Sequence, residues 1–172
     1  VLKVLPQSRV LAMDISHGML VAGKDKVRGE RRGKLQRVCA DGRFLPLPDA
    51  SVDSVTIAFG IRNILPRSMA FEDILRVLAP GGRLVVLEFG TGKRKIWSGF
   101  YNFYLKRILP FLGGLISGDR EAYEYLARTI EEFPPEDELA KEMMDAGFSK
   151  VEHRAMTSGI VFLHVAQKAE AG

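Results

Sequence analysis

Cysteine occurs once, as Cys39, and tryptophan once, as Trp97. A lone thiol cannot close a bridge within the chain, so a disulfide-built fold is excluded and a reducing, cytoplasmic setting is the expectation. The three histidines, His17, His153 and His164, are scattered, and no Cys/His cluster has ligand spacing; no metal site is expected. There is no Ser/Gly-rich linker, low-complexity run or internal repeat, which argues against tandem or solenoid architectures. No cationic, apolar, small-residue signal pattern opens the chain. It starts at Val1 rather than methionine, a start expected to be a cut rather than a processed end. A long uninterrupted apolar run is also lacking. The richest stretch, Ile96 to Ile116, carries Lys106 and Arg107 in its middle and Pro110 beyond them, which argues against a membrane span.

What is present is ordinary for one globular domain. Its 172 residues are 47% hydrophobic and 27% charged, with a net charge of +4. The charge is unevenly placed. Lys24, Lys26, Arg28, Arg31, Arg32, Lys34 and Arg37 stand against only Asp25 and Glu30. A solvated helix face and turn is the plain account of that run. Attraction to an anionic membrane surface is the sharper one. A nucleic-acid partner is not expected, because no aromatics are interleaved and no nucleic-acid motif is present.

Short apolar strands alternate with helical stretches, the pattern of an α/β domain with a mostly parallel sheet. Strands are expected over Arg9 to Met13, Leu35 to Cys39, Val52 to Phe59 and Arg83 to Phe89. Helices are expected from Ser16, as N-cap, to about Arg28, over Ser68 to Leu78, over Asp119 to Glu132 and over Pro135 to Ala146. Pro80-Gly81-Gly82 reads as a helix stop. Val151 to Met156 and Ile160 to Gln167 read as a closing antiparallel pair.

Two acids fall at strand ends, where open α/β sheets place ligand contacts. Asp14 follows the first strand and can accept both hydroxyls of a ribose; taken alone, it reads first as a charge at a helix N-terminus. Asp41-Gly42 follows the second. The carboxylate can take the exocyclic amine of an adenine while the glycine lets the backbone approach closely, although Asp-Gly is also a common turn. Phe59-Gly60 tips the third strand.

The order of these features resembles the class I methyltransferase fold, and one stretch narrows the resemblance. Arg76-Val-Leu-Ala-Pro-Gly-Gly-Arg-Leu-Val-Val-Leu-Glu-Phe-Gly90 is similar to a signature of the ubiquinone/menaquinone biosynthesis C-methyltransferases (UbiE-type). The chain departs from that signature at Ala79, where lysine is usual, and at Gly90, where serine is usual. Thr56-Ile-Ala-Phe-Gly-Ile-Arg-Asn63, Gly118-Asp-Arg-Glu-Ala-Tyr-Glu-Tyr-Leu126, Ala146-Gly-Phe148 and Thr157-Ser-Gly-Ile-Val161 fit as well, so the resemblance runs from Val10 to Lys168.

The resemblance implies a Rossmann-like domain over residues 1–172 with a helical lid or substrate insertion at about 95–132. It implies S-adenosyl-L-methionine as cofactor, held by Asp14, Ile15, Asp41, Gly42 and Phe59. The implied reaction is methylation of a ring carbon on a polyprenyl benzoquinol or naphthoquinol. Arg62 and Asn63 are the candidates for handling the ring hydroxyl, with Asp119, Glu88 or a water as base. Gly60, Glu88, Tyr104 and Tyr123 are candidates for lining the substrate site. Tyr125 belongs to the same pair of aromatics, for which simple packing is the alternative. The stretch from Trp97 to Ile116 is either core or a groove for an isoprenoid tail, and only the groove implies a peripheral contact with the inner face of the membrane. A homodimer or a quinone-biosynthesis complex is compatible with the family. In this family a strand and a turn of the type acid-x-x-x-Gly-x-Gly precede the region where this chain begins, whereas Val1 to Gln7 contains no glycine. The central strand, between those ending at Asp14 and Phe59, is therefore expected to be absent, with Val1 to Leu5 as the tail of a helix. Two other readings stand beside this one: a methyltransferase of the same fold acting on another lipid or small molecule, and a non-catalytic methyltransferase-like scaffold.

Overall fold

The structure, a computed structural model, describes residues 2–23, 33–90, 125, 128–130 and 132–172. Its contacts group into two compact units, Val1–Leu47 and Pro48–Gly172. The expected insertion at about 95–132 falls largely outside the described residues, as do the basic run from Lys24 to Arg32, the apolar stretch from Ile96 to Ile116, Tyr104, Asp119 and Tyr123.

The first unit holds two parallel strands, β1 (Val10–Asp14) and β2 (Leu35–Cys39), in register from Val10 opposite Leu35 to Asp14 opposite Cys39. Helix α1 (His17–Ala22) begins where expected. Ser16 is its N-cap, with the side-chain oxygen accepting the Met19 N–H at 3.3 Å. Leu2 to Val4 forms a turn rather than the expected helix tail, and the Ser8 N–H closes back on the Leu5 carbonyl at 3.2 Å.

The second unit is a four-stranded mixed sheet in the order β3-β4-β6-β5. Its strands are β3 (Val52–Ala58), β4 (Leu78–Phe89), β5 (Lys150–Met156) and β6 (Val161–Gln167). β3 and β4 are parallel, whereas β4, β6 and β5 run antiparallel, so the expected closing hairpin is present. Helices α2 (Arg67–Val77) and α3 (Glu136–Asp145) cover the sheet. α2 buries Ala70, Phe71, Ile74 and Val77, and α3 buries Leu139 and Met143, both at helical spacing. Arg67 ties the two helices by a bidentate pair with Glu142, both contacts at 2.7 Å.

One boundary differs from expectation. Pro80-Gly81-Gly82 does not end the helix; Leu78 has already turned extended at ψ 136°, and the three residues lie inside β4. They coincide with a register shift against β3 between Val52 and Ser54. Gly81, at φ +73°, makes that irregularity possible. Among the described strands, β1 pairs with β2 in the first unit and β3 pairs with β4 in the second.

Candidate active site

β4 alternates cleanly, and Leu84, Val86 and Glu88 share its buried face. A carboxylate in the place of a third aliphatic is costly unless it is paired. Glu88 is only 1% exposed, and its partner is Arg62. Arg62 Nη1 donates to Glu88 Oε1 at 2.7 Å and to the Phe59 carbonyl at 2.6 Å. The Arg62 backbone N–H makes a long contact of 3.5 Å with Glu88 Oε2, and the Phe89 N–H donates to Oε1 at 2.9 Å. Arg62 Nε is buried and finds no hydrogen-bond partner among the described residues.

The local backbone puts Arg62 there. β3 stays on its ladder through the Phe59 N–H, which donates to the Leu87 carbonyl at 2.8 Å. Phe59 then enters the left-handed region at φ 56°, uncommon for an aromatic residue. Gly60 follows and leads into a 3₁₀ turn at Ile61–Asn63. Ile61 is fully buried and anchors the turn, so Arg62 faces Glu88. The Phe59 and Phe89 rings lie 4.6 Å apart, and the Arg62 guanidinium sits 5.8 Å from the centre of the Phe89 ring. Beside them, the Tyr125 hydroxyl donates to Asn63 Oδ1 at 3.1 Å.

The structure thus brings together Phe59, Gly60, Arg62, Asn63 and Glu88 from the expected residues. Tyr125 joins them, whereas Tyr104, Asp119 and Tyr123 lie outside the described residues. Glu88 differs from expectation: with its carboxylate buried and bonded to Arg62 and Phe89, it does not line an open substrate surface. A sequence signal existed for this, an acid at the inward phase of an otherwise apolar strand.

In the first unit, Asp14 Oδ1 accepts the Ser16 N–H at 2.8 Å, which pins the carboxylate at the end of β1. Ile15 beside it is 69% exposed. The Ala40 N–H donates to the Asp14 carbonyl at 3.1 Å, continuing the ladder and bringing the end of β2, with Asp41-Gly42, alongside. Asp41 is not bare, as the sequence leaves it. Arg43 Nη2 donates to Oδ2 at 2.6 Å, Arg43 Nε to Oδ1 at 3.0 Å, and the Arg43 N–H to Oδ1 at 2.9 Å. These hydrogen bonds lower the Asp41 carboxyl to about 2. Two carboxyl side chains beside an exposed aliphatic side chain suit a ligand with hydroxyls, an amine and a flat apolar ring. They therefore fit the adenosyl part of S-adenosyl-L-methionine. Among the described residues no cluster of His, Cys, Asp or Glu could hold a metal ion, and no helix is long and apolar enough to cross a membrane.

The chain is 42% identical over 164 residues to the ubiquinone/menaquinone biosynthesis C-methyltransferase UbiE of Geobacter sulfurreducens, covering 95% of this chain and 64% of that protein. It is 44% identical over 161 residues to the protein of the same name from Pseudomonas putida, covering 92% and 62%. The chain thus spans a little under two thirds of the length of these relatives. A crystal structure of a SAM-dependent methyltransferase from Aquifex aeolicus superposes with a TM-score of 0.64 at 19% identity, over 92% of this chain and 68% of that one. That likeness shows the fold, a Rossmann-like class I methyltransferase fold. The ubiE/COQ5 methyltransferase family matches residues 2–168, and the chain belongs to that family.

Proposed function

We propose that the protein methylates a ring carbon of a polyprenyl benzoquinol or naphthoquinol, using S-adenosyl-L-methionine, in ubiquinone or menaquinone biosynthesis. The observation that carries this reading is the guanidinium of Arg62 held at the end of β3 by a buried carboxylate, in a chain whose relatives are named for that reaction. When bound, the cofactor supplies the electrophilic sulfonium methyl.

The chain's own residues have to make a ring carbon nucleophilic. A phenol carbon becomes so when the neighbouring hydroxyl gives up its proton, and a cation beside the oxygen favours the phenolate. Arg62 suits that role, and it is no base, since its guanidinium stays protonated. Asn63 orients the ring oxygen or a bridging water, and its bond to Tyr125 limits the rotamers it can take. Phe59 is a proposed cofactor contact, and Phe89 and Tyr125 offer flat apolar surface for the quinol ring. Asp14, Ile15, Asp41 and Gly42 hold the cofactor's ribose and adenine. Asp119 as base, and Tyr104 and Tyr123 as wall, complete the proposed site from outside the described residues. The basic run and the Ile96 to Ile116 stretch would give peripheral contact with a membrane carrying the prenylated substrate, and a homodimer or quinone-biosynthesis complex is compatible with that contact.

The test is calorimetry with S-adenosyl-L-methionine and turnover of a demethylated quinol by the protein at its full natural length. Arg62→Ala is expected to keep cofactor affinity and to lose on the order of 100- to 1,000-fold in turnover. Absence of cofactor binding favours the scaffold. Binding without quinol turnover favours a methyltransferase of another lipid or small molecule.

A further inference from the structure

We infer that Glu88 is a positioning residue: it sets the orientation of Arg62 and does not itself touch substrate. The inference rests on the role proposed for Arg62, and it goes beyond it in naming what aims that side chain. Glu88 holds both ends of one residue. Oε1 accepts from the guanidinium at 2.7 Å, and Oε2 takes the long 3.5 Å contact from the same residue's backbone N–H. The carboxylate is itself held, since the Phe89 N–H donates to Oε1 at 2.9 Å. At 1% exposure it has no face left for a ligand.

The allotment of donors follows from this hold. The Phe59 carbonyl and Glu88 both draw on Nη1, so the two hydrogen bonds that the guanidinium donates among the described residues spend a single nitrogen. Nε, buried and without a partner among the described residues, is the kind of unsatisfied donor that a folded protein keeps at a cost. A guanidinium free to turn would spread its donors over the nearby acceptors. One clamped at Nη1 keeps its remaining edge for an oxygen that arrives with the ligand. The Phe89 ring at 5.8 Å backs the group from the side, and the carboxylate, with the Phe59 carbonyl beside it, fixes its rotation.

Four variants test this in the protein at its full natural length: Glu88→Gln, Glu88→Asp, Arg62→Met and the double variant Arg62→Met/Glu88→Gln. Glu88→Gln is expected to lower kcat on the order of 10- to 100-fold while the quinol KM and cofactor affinity stay within about twofold, as for a misaimed group. Glu88→Asp should recover part of the loss. The double variant should turn over no more slowly than Arg62→Met, because Glu88 acts through Arg62. Glu88→Gln leaves a buried guanidinium uncompensated; should it not accumulate as folded protein, Glu88→Asp and the double variant decide. A readout free of turnover is the Arg62 Nε–H resonance in ¹⁵N NMR, expected to be resolved and slow to exchange in the parent and averaged or lost in Glu88→Asp. A parent without methyl transfer would sink the reading of Arg62, while this resonance would still report whether Glu88 holds the side chain. Turnover of Glu88→Gln or Glu88→Asp at the parental rate, losses that multiply in the double variant, or a resonance unchanged by either substitution would overturn the inference.

Discussion

His164 lies directly opposite His153 across the β5–β6 ladder, with ring centroids 5.3 Å apart. The two rings differ in surroundings. His153 Nε2 reaches Asp137 Oδ1 at 3.0 Å, whereas His164 is 1% exposed beneath the start of α3. Its Nε2 donates to the Glu136 carbonyl at 3.0 Å, and its Nδ1 is buried without a partner among the described residues.

That geometry makes His164 a neutral imidazole and implies a pH dependence. Burial pushes its pKa below the ordinary 6.5; the Glu136 carbonyl works against this, and neighbouring His153 adds to it. The unfolded chain therefore takes up a proton at a higher pH than the folded one. Stability is full above about 6.5 and is lost as pH falls through the folded-state value. Thermal unfolding between pH 7.5 and 5 should show a falling Tm in the parent and a flatter one in His164→Leu. Parallel curves would remove His164 as the source.

Lys168 closes the C-terminal end of α2. Its Nζ donates to the carbonyls of Leu75 at 2.8 Å and Leu78 at 2.7 Å, with Arg76 at 3.4 Å. The last carbonyls of a helix point past its final turn, at the negative end of its dipole. Lys168→Met keeps the apolar stem and removes the donors, and should cost about 1–3 kcal/mol in urea unfolding. An unchanged midpoint would mean that water replaces the ammonium at no penalty.

Gly82 is needed for a different reason from its neighbour Gly81. A Cβ there would stand 2.7 Å from the Ala79 carbonyl oxygen and 3.1 Å from that of Asp53, both backbone atoms that cannot swing aside. Gly82→Ala should therefore destabilise by about 1–3 kcal/mol through forced separation of β3 and β4. Gly33→Ala, where nothing lies within 4 Å, is the control and should be near neutral.

This pair of glycines also marks where the sequence was hardest to interpret. Pro-Gly-Gly carries the local marks of a helix stop, and nothing local says that the strand has already begun at Leu78. The strands themselves were legible because their apolar runs are bounded by turn residues; β2 and the β5–β6 pair fall where those patterns put them, to within a residue. The site was legible only as a set of residues. The bond between Arg62 and Glu88 joins positions 26 apart, and that between Tyr125 and Asn63 joins positions 62 apart; folding alone brings them together.

The last prediction concerns Asp41, which the family resemblance assigns to the cofactor and Arg43 occupies. Both oxygens accept from Arg43, and the side-chain hydrogen bonds, more than the charge at a distance, hold the carboxyl at about 2. An adenine amine approaching Asp41 has to take the place of one guanidinium donor. Arg43→Ala frees the carboxylate, and the competition of one solvent-screened, charge-assisted hydrogen bond disappears with it. Calorimetry should then show S-adenosyl-L-methionine bound roughly fivefold more tightly. In a carboxylate NMR titration the Asp41 midpoint should rise from about 2 towards the ordinary 3.8. The sign follows from linkage: Asp41 contributes stability above 3.8 that is lost as pH falls towards 2, and the variant lacks this acid limb. Weaker cofactor binding in Arg43→Ala would place Arg43 itself among the cofactor's contacts. Unchanged affinity alongside the shifted titration would detach Asp41 from the adenine and leave Asp14 as the only carboxylate assigned to the cofactor.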